Sequence, residues 1–566
     1  MPAKIIRMAF DIVADTVTRL RLVDGFEYRE TYLEFMTTSI LAFGVIVFLL
    51  ALTTGFFTFL NRQTIIVMSR LIEFDLKNDI FSHYQSLDTS FYKRNSTGDL
   101  MNRISEDVSR VRMYVGPAIM YTTNMIVVFI LVVSTMLSVN VKLTLYVLLP
   151  LPFLSVSIYY VSHIINLKSE RVQRKLSSIS TFVHEAISGI RVYKAYNLGA
   201  FRDEMFEKET EEYKQINLDL VRVNALFMPL MFLLIGLSTI LTIYVGGNLA
   251  IAGEITPGNI AEFVIYVNML TWPVAVVGWV TSMVQRAAAS QKRINEFLDI
   301  QPEITSPIQE PSIITGDIEF DQVSFTYPDS GTNALKNISF TVKHGESLAI
   351  TGRTGSGKTT IAQLILRLYD VSSGNILING HSIKDTNLSD LRTNIGYVNQ
   401  DVFLFSDSIA NNISFGINSE NVRQKDIEQA AIQADIYDSI IQLPEGFNTE
   451  IGERGVTLSG GQKQRISMAR ALITHPEILI LDDSLSAVDT ETEDTILKHL
   501  NTFMKGRTTI IISHRISSIK NCDKIIVLDK GEIVETGSHK DIIKNEGLYK
   551  MLYEQQLLEE AESQSI

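Results

Sequence analysis

The two halves of this chain carry different patterns of hydrophobic and polar positions. The first half holds five apolar stretches, at about 35–60, 114–138, 141–165, 223–252 and 259–284, each with few or no charges inside. A helix needs ~20 apolar residues to cross a bilayer, so each stretch is long enough to span one. Five of them in one half of a chain is not the composition of buried helices in a soluble domain. The long connections between them are not loop-like. Positions 69–90 and 167–197 keep helical periodicity with mixed charge and little Pro or Gly. This predicts membrane helices that run on far outside the bilayer. Their tips, 91–102 and 196–206, contain the turn residues Asn95-Ser-Thr-Gly98 and Asn197-Leu-Gly199. A helix pair that projects a short turn is suited to carrying force to a neighbouring domain.

Charge orients the spans. Segment 61–113 carries eight Lys and Arg residues and segment 166–222 carries ten, whereas the connections at 139–140 and 253–258 carry none. The positive-inside rule puts the two long basic connections in the cytoplasm. Whatever follows the last span falls on that side too, and residue 1 falls outside. Residues 2–10 are apolar but too short to cross. They read like the outer end of a span whose beginning is absent, against which Lys4 and Arg7 weigh.

The second half opens with a Pro-rich, aperiodic stretch, 299–316, read as a linker. Ile318, Phe320, Val323, Phe325 and Tyr327 then suit pleated strands broken at Asp321-Gln322. Further on stands Gly352-Arg-Thr-Gly-Ser-Gly-Lys-Thr359, with a strand-like run before it and a helix-like run, starting at Thr360, after it. That is the context a phosphate-binding loop requires. Gly352, Gly355 and Gly357 let backbone N–H groups turn toward phosphate oxygens, and the helix N-terminus adds its positive end. Lys358 would reach the β- and γ-phosphates of a nucleotide, and Thr359 would set its hydroxyl on Mg²⁺. Ile478-Leu-Ile-Leu-Asp482 is an apolar run closing on a carboxylate, the pattern of a buried parallel strand that delivers Asp482 to a sheet edge. Asp482 would hold Mg²⁺, and the adjacent Asp483 would polarise the attacking water. Tyr327, upstream of the loop, would stack on the base.

Hydrophobic residues make up 46% of the 566, and the mean hydropathy is +0.16, high for a soluble protein. A chain this long exceeds one core and predicts at least two domains. The net charge of −13 leaves no basic surplus for nucleic acid, which is excluded as a partner. The single cysteine, Cys522, rules out an intrachain disulfide and any multi-cysteine metal site, and its setting between a helix-like and a strand-like run predicts packing. The first residues show no short apolar core with a cleavage site, so no signal peptide is read.

Leu458-Ser-Gly-Gly-Gln462, upstream of the strand ending at Asp482, resembles the signature of ATP-binding cassette (ABC) proteins. The whole chain, a membrane half followed by a cassette, resembles an ABC exporter half-transporter. The resemblance implies an all-α polytopic membrane domain followed by an α/β P-loop ATPase domain, with an antiparallel β subdomain and an α-helical signature subdomain. The map is 1–298 membrane domain, 299–316 linker, 317–556 ATPase domain and 557–566 acidic tail. In this family two cassettes sandwich two ATP molecules, each between one subunit's phosphate loop and the other's signature. Nucleotide contacts then fall on Tyr327, Gly352, Gly355, Ser356, Gly357, Lys358, Thr359 and Thr360, and across the dimer on Ser459, Gly460, Gly461 and Gln462. Gln400 resembles the family's Mg²⁺-sensing glutamine, Asp489 the aspartate that couples the two sites, and His514 the histidine that contacts the γ-phosphate. Mg²⁺ would sit on Thr359, Gln400 and Asp482. The run Thr449-Glu-Ile-Gly-Glu-Arg454 looks like the stretch that meets the partner's cytoplasmic tips.

Two departures from the family pattern carry information. The family has glutamate where this chain has Asp483, one methylene shorter. General-base catalysis contributes ~10²–10⁴ in rate and depends on reach, so hydrolysis on this chain's own phosphate loop is expected to be slow. With the signature intact, the combination resembles the aspartate-bearing subunit of heterodimeric bacterial multidrug exporters, whose partner carries the glutamate. The family also has six spans per half against five here, which predicts a start upstream of residue 1. The expected protein is a subunit of an ATP-driven exporter in a bacterial plasma (inner) membrane. It would move amphipathic small molecules, drugs or lipids by alternating access, with a second ABC half-transporter as partner. Phe227, Met228, Met231, Phe232, Tyr266, Met269, Trp272 and Trp279 in the last two spans suit a wall for such cargo, or helix packing. A channel or regulator gated by the same ATPase, and a fully active homodimeric exporter, are the alternatives.

Overall fold

The structure is a computed structural model that describes residues 2–22, 29–306, 308, 310–417, 422–452, 458–485 and 490–564. The chain divides into two compact units. One comprises residues 1–83 with 100–300, and the other comprises 84–99 with 301–566.

The first unit is helical. It contains α1 (Pro2–Leu22) and most of α2 (Arg29–Ser86); the short α3 (Thr89–Arg94) lies in the second unit. Then come α4 (Thr97–Val139), α5 (Val141–Ser188), α6 (Gly199–Ile251) and α7 (Pro257–Leu298). Among the described residues five helices, α2 and α4 to α7, are long and apolar enough to cross a membrane. They run 42–58 residues. At ~1.5 Å per residue such helices are about 60–90 Å long, two to three times a bilayer's hydrocarbon core of ~30 Å. Their polar halves therefore continue well outside, as the mixed-charge periodicity predicts. On α2 one side carries Phe48, Phe56 and Phe59, each 60–62% exposed. So large an apolar face suits lipid.

The two short turns are capped from the sequence. Asn140 accepts from the Leu143 N–H at 2.9 Å, and Thr256 forms a capping box with Asn259 ahead of Pro257. At the other ends the chain turns at Asn197, whose φ of 52° is left-handed and suits asparagine. α4 takes up Pro117 in a π-turn at Tyr114–Ala118. α1 packs along the start of α7. There Asp11 accepts from the Gly258 N–H at 2.9 Å and from the Thr256 hydroxyl at 3.0 Å. Arg7 meets the wholly buried Glu262 at 3.3 Å, and Glu262 also accepts from Tyr266 at 2.8 Å. The apolar centre beside them is built from Met136, Leu143, Val147, Phe263 and Leu270.

The second unit is built on two sheets. A four-stranded antiparallel sheet has the order β2 (Asn333–Val342), β1 (Ile318–Thr326), β4 (Ser373–Ile378), β5 (His381–Ser382). The predicted break at Asp321-Gln322 is a register shift in β1, with Gln322 at φ 48°. A six-stranded sheet has the order β10 (Glu532–Gly537), β9 (Lys524–Asp529), β3 (Ser347–Gly352), β8 (Thr508–Ile512), β7 (Ile478–Asp482), β6 (Ile395–Val398). All its pairs are parallel except β9–β10. Its central strands are buried on both faces, which is why they read as unbroken apolar runs.

Alternate residues of that sheet enter different cores. Leu348, Ile350, Ile480 and Ile512 pack with Ile361, Leu364 and Ile365 of α8 (Lys358–Ile365). Ala349, Leu479, Leu481 and Ile511 pack with Ile466, Met468 and Leu472 of α9 (Gly460–Leu472). The two helices thus lie on opposite faces. Cys522 is buried in the α9-side core, and burial pushes its thiol up to about 12, an inert packing residue.

Candidate active site

Parallel strands share a C-terminal edge, and four of them deliver the predicted site to it. β3 ends in the phosphate loop, β6 runs on to Gln400, β7 ends at Asp482 and leads to Asp483, and β8 leads to His514. Gly352, Gly355 and Gly357 all have left-handed φ, at 143°, 78° and 101°. At Gly352 a Cβ would lie 2.0 Å from the Leu528 carbonyl oxygen, and at Gly357 it would lie 2.5 Å from that of Ala334. Only glycine fits either position.

Lys358 is 6% exposed and donates to the carbonyls of Gly352 and Arg353 at 2.9 and 2.8 Å. Burial lowers its pKa to about 8, partly offset by Asp483 and Asp482. Ser356 is buried, and its Oγ has no hydrogen-bond partner among the described residues. A buried cation held by two backbone carbonyls and a buried hydroxyl beside a helix N-terminus fit an incoming phosphate. Thr359 donates to Asp482 Oδ1 at 3.1 Å, and Asp482 is wholly buried. Burial raises the Asp482 pKa, while hydrogen bonds from Thr359 and Tyr397 lower it. The hydroxyl and carboxylate together are a hard oxygen donor set that fits Mg²⁺.

Asp483 has φ 47°, a conformation that aspartate tolerates through its short polar side chain. Its Oδ2 accepts from Gln400 Nε2 at 3.4 Å, and its N–H donates to Ile512 at 2.8 Å. Burial, and then Lys358, lower the His514 pKa, so the imidazole is neutral near pH 7. Tyr327 lies just beyond the end of β1, and its hydroxyl meets Thr360 at 2.9 Å and Gln363 at 3.1 Å. Ser459 starts α9 with a capping box to Gln462, which leaves Ser459 and Gly460 exposed. Asp489, Glu453 and Arg454 lie outside the described residues. The described part of the 449–454 run pairs back to Ser408 through Glu450.

Two groups escaped sequence reasoning. Tyr397 on β6 donates to Asp482 Oδ2 at 3.3 Å, so both carboxylate oxygens of Asp482 have donors. Lys93 of α3 lies 4.8 Å from the Tyr327 ring centroid and 5.2 Å from that of Tyr369. Nearby, Asp88 caps α3 through the Ser90 and Phe91 N–H groups and accepts from Glu303 N–H at 3.0 Å. Neither tyrosine nor lysine carries a sequence signal, because the contacts join segments far apart in the chain.

A polytopic helical unit and a phosphate-loop ATPase sheet in one chain define a membrane transporter coupled to nucleotide. The family comparisons carry this further. Residues 5–274 match the ABC transporter transmembrane region and residues 335–486 match the ABC transporter ATPase domain. The chain is 38% identical over 496 residues to the "Probable multidrug resistance ABC transporter ATP-binding/permease protein YheI" of Bacillus subtilis, covering 87% of this chain and 84% of that one. It is 38% identical over 488 residues to the ATP-dependent lipid A-core flippase of Syntrophus aciditrophicus, covering 86% of this chain and 80% of that one. A solved structure of a bacterial Atm1-family ABC exporter with ATP bound matches with a TM-score of 0.77 at 25% identity, covering 98% of each chain. The chain belongs to the ABC transporter family. It is an ATPase-coupled membrane transporter of exporter architecture, with its membrane region fused to its nucleotide-binding domain.

Proposed function

We propose that this chain is one subunit of a dimeric exporter that moves amphipathic drugs or lipids out of the cytoplasm or the inner leaflet of a bacterial plasma membrane. The observation that carries the reading is the meeting of Lys358, Thr359, Asp482 and Asp483 at one sheet edge in a chain with five bilayer-length apolar helices. The relatives named for multidrug resistance and lipid A flipping supply the cargo class. The domain map is that of the sequence: 1–298 in the membrane, 299–316 as linker and 317–556 as ATPase.

Two chains are needed for one working site. The phosphate-loop helix α8 and the signature helix α9 pack on opposite faces of the same sheet, which supports a nucleotide on Lys358 being closed by Ser459, Gly460, Gly461 and Gln462 of a second chain. The loop amides and Lys358 hold the β- and γ-phosphates, Thr360 reaches a phosphate and Tyr327 stacks on adenine. Thr359, Asp482 and Gln400 would hold Mg²⁺, which neutralises charge developing on the γ-phosphate. Gln400 orients the Asp483 carboxylate, Asp483 accepts the proton of the attacking water, and neutral His514 donates to the γ-phosphate. Asp489 joins the two sites across the dimer. Dimer closure pulls on the tip at 84–99, which is continuous with α2, and the bundle turns its cavity outward.

Asp483 makes this half the slow one. An aspartate stops one C–C bond short of where a glutamate base would reach, and the signature end of α9 is intact and exposed. A heterodimer follows, in which the partner supplies the glutamate and uses this chain's signature. ATP-dependent uptake of an amphipathic dye into inside-out vesicles tests the export reading. Uptake is expected with the paired chains and lost with Lys358→Ala. Dye movement that ATP gates but that never exceeds equilibrium would make the protein a channel.

A further inference from the structure

Two cavities in the helical unit share a wall. One, of about 350 Å³, is apolar and lined by Met125, Val128, Met269, Trp272 and Val276, with Tyr121 and Asn124 at its rim. The other, of about 520 Å³, takes the same Tyr121 and Asn124 and adds the polar stripe Thr54, Thr58, Asn61 and Arg62 of α2. Those positions fall at i, i+4, i+7 and i+8 and so share one helix face. The Thr54 hydroxyl donates to the Leu50 carbonyl at 2.8 Å, and Arg62 is the charged side chain in the lining. Together the two are the size of a small-molecule site, about 300–1,000 Å³.

Arg62 differs from the basic residues that follow it. Arg70, Lys77 and Arg112 all converge on Glu73, at 2.9, 3.1 and 3.3 Å, and Arg110 pairs with Glu106 at 2.5 Å. Among the described residues Arg62 has no carboxylate partner. On the orientation read from loop charge, Arg62 lies just past the cytoplasmic end of the 35–60 stretch, at headgroup depth. From Tyr121 to Val128 the cavity wall on α4 climbs about 10 Å toward the bilayer centre, at ~1.5 Å per residue. A cation at headgroup depth with an aromatic lobe above it matches a molecule with an anionic head and an apolar body.

We propose that Arg62 and the Trp272 cavity form one binding site for an amphipathic anion, which makes anionic amphipaths the cargo class of this exporter. The inference rests on the export reading and narrows its substrate. The guanidinium holds the phosphate, sulfonate or carboxylate oxygens in a fork, and Trp272, Met125 and Met269 take the apolar part. The head can belong to an inner-leaflet lipid or to a free amphipath.

The chain reports on this site itself. Its two tryptophans are Trp272, in the wall, and Trp279, whose ring lies 5.5 Å from that of Tyr121. Energy transfer from them to 1-anilinonaphthalene-8-sulfonate, and to its neutral analogue N-phenyl-1-naphthylamine, is measured on the full chain in phosphatidylcholine nanodiscs. Arg62→Gln is expected to raise the half-saturating concentration of the sulfonate by about ten-fold or more and to leave the neutral probe within about two-fold, the loss of one charge-assisted contact. Arg62→Lys keeps the charge but loses the fork, so its sulfonate affinity falls between those of the native chain and Arg62→Gln, and Trp272→Ala weakens both probes. Competition by phosphatidylglycerol in the disc assigns the site to lipid heads, and sulfonate binding undisturbed by it assigns the site to free anions. An Arg62→Gln chain that binds both probes like the native one, or loses both equally, overturns the proposal. Uphill transport in vesicles is read separately, so its failure would sink the export reading and not be mistaken for this one.

Discussion

Lys358 carries a conflict that nucleotide resolves. Its ammonium is buried against two backbone carbonyls, and burial brings its pKa down to about 8. Bound phosphates favour the charged form, so affinity for ATP depends on the fraction of free protein in which Lys358 is protonated. That fraction is high below pH 8 and falls above it. ATP affinity, measured by calorimetry from pH 7.5 to 9.5, is therefore expected to weaken as pH rises, approaching about ten-fold per unit where the free lysine is mostly neutral. In Lys358→Met the affinity is weak and this slope is absent. Tyr327 makes a separate prediction. Its hydroxyl is tied to Thr360 and Gln363, but the proposed stacking on the base would belong to the ring. Tyr327→Ala is expected to weaken ATP binding by about 1–3 kcal/mol, the range for one stacked base. Tyr327→Phe stays close to native in the same titration.

At the scale of elements, α1 is fastened to α7 by charge as well as packing. Asp11 satisfies the free N–H of Gly258 at the start of α7, and Arg7 is the cation beside buried Glu262. Asp11→Ala removes a cap and should cost about 1 kcal/mol. Arg7→Met leaves the Glu262 carboxylate without its cation and should cost about 3 kcal/mol or more. Thermal unfolding in detergent reads both losses. Adding Glu262→Gln to Arg7→Met is expected to recover most of the second, which a loss of packing alone would not allow. The bilayer-length helices, the strands and the phosphate loop were legible because each is a local pattern of hydropathy or spacing. The tie between α1 and α7 was not, since Asp11 and Gly258 are 247 residues apart. Tyr397 was hidden for a similar reason. Only the neighbouring of β6 and β7 in the sheet brings its hydroxyl to Asp482. At the tip the helices break at Asn95 and Ser96, the first of the turn residues read there, whereas α3 just before them, capped by Asp88, went unread.

For the whole molecule the question is how ATP turnover is divided between two chains. The site edge collects its groups from four parallel strands, and the signature helix lies across the sheet from the phosphate-loop helix, the arrangement behind the proposal that a single chain holds two half-sites. On the proposed reading one departure, Asp483, makes the halves unequal. The measurement that tests this most directly is the ATP turnover of the purified chain beside its Asp483→Glu variant. The account predicts a nearly inert native chain and a rise of about two orders of magnitude with glutamate, the low end of what a general base supplies. A native chain that already turns over as fast as its glutamate variant would contradict the account and make two identical subunits sufficient.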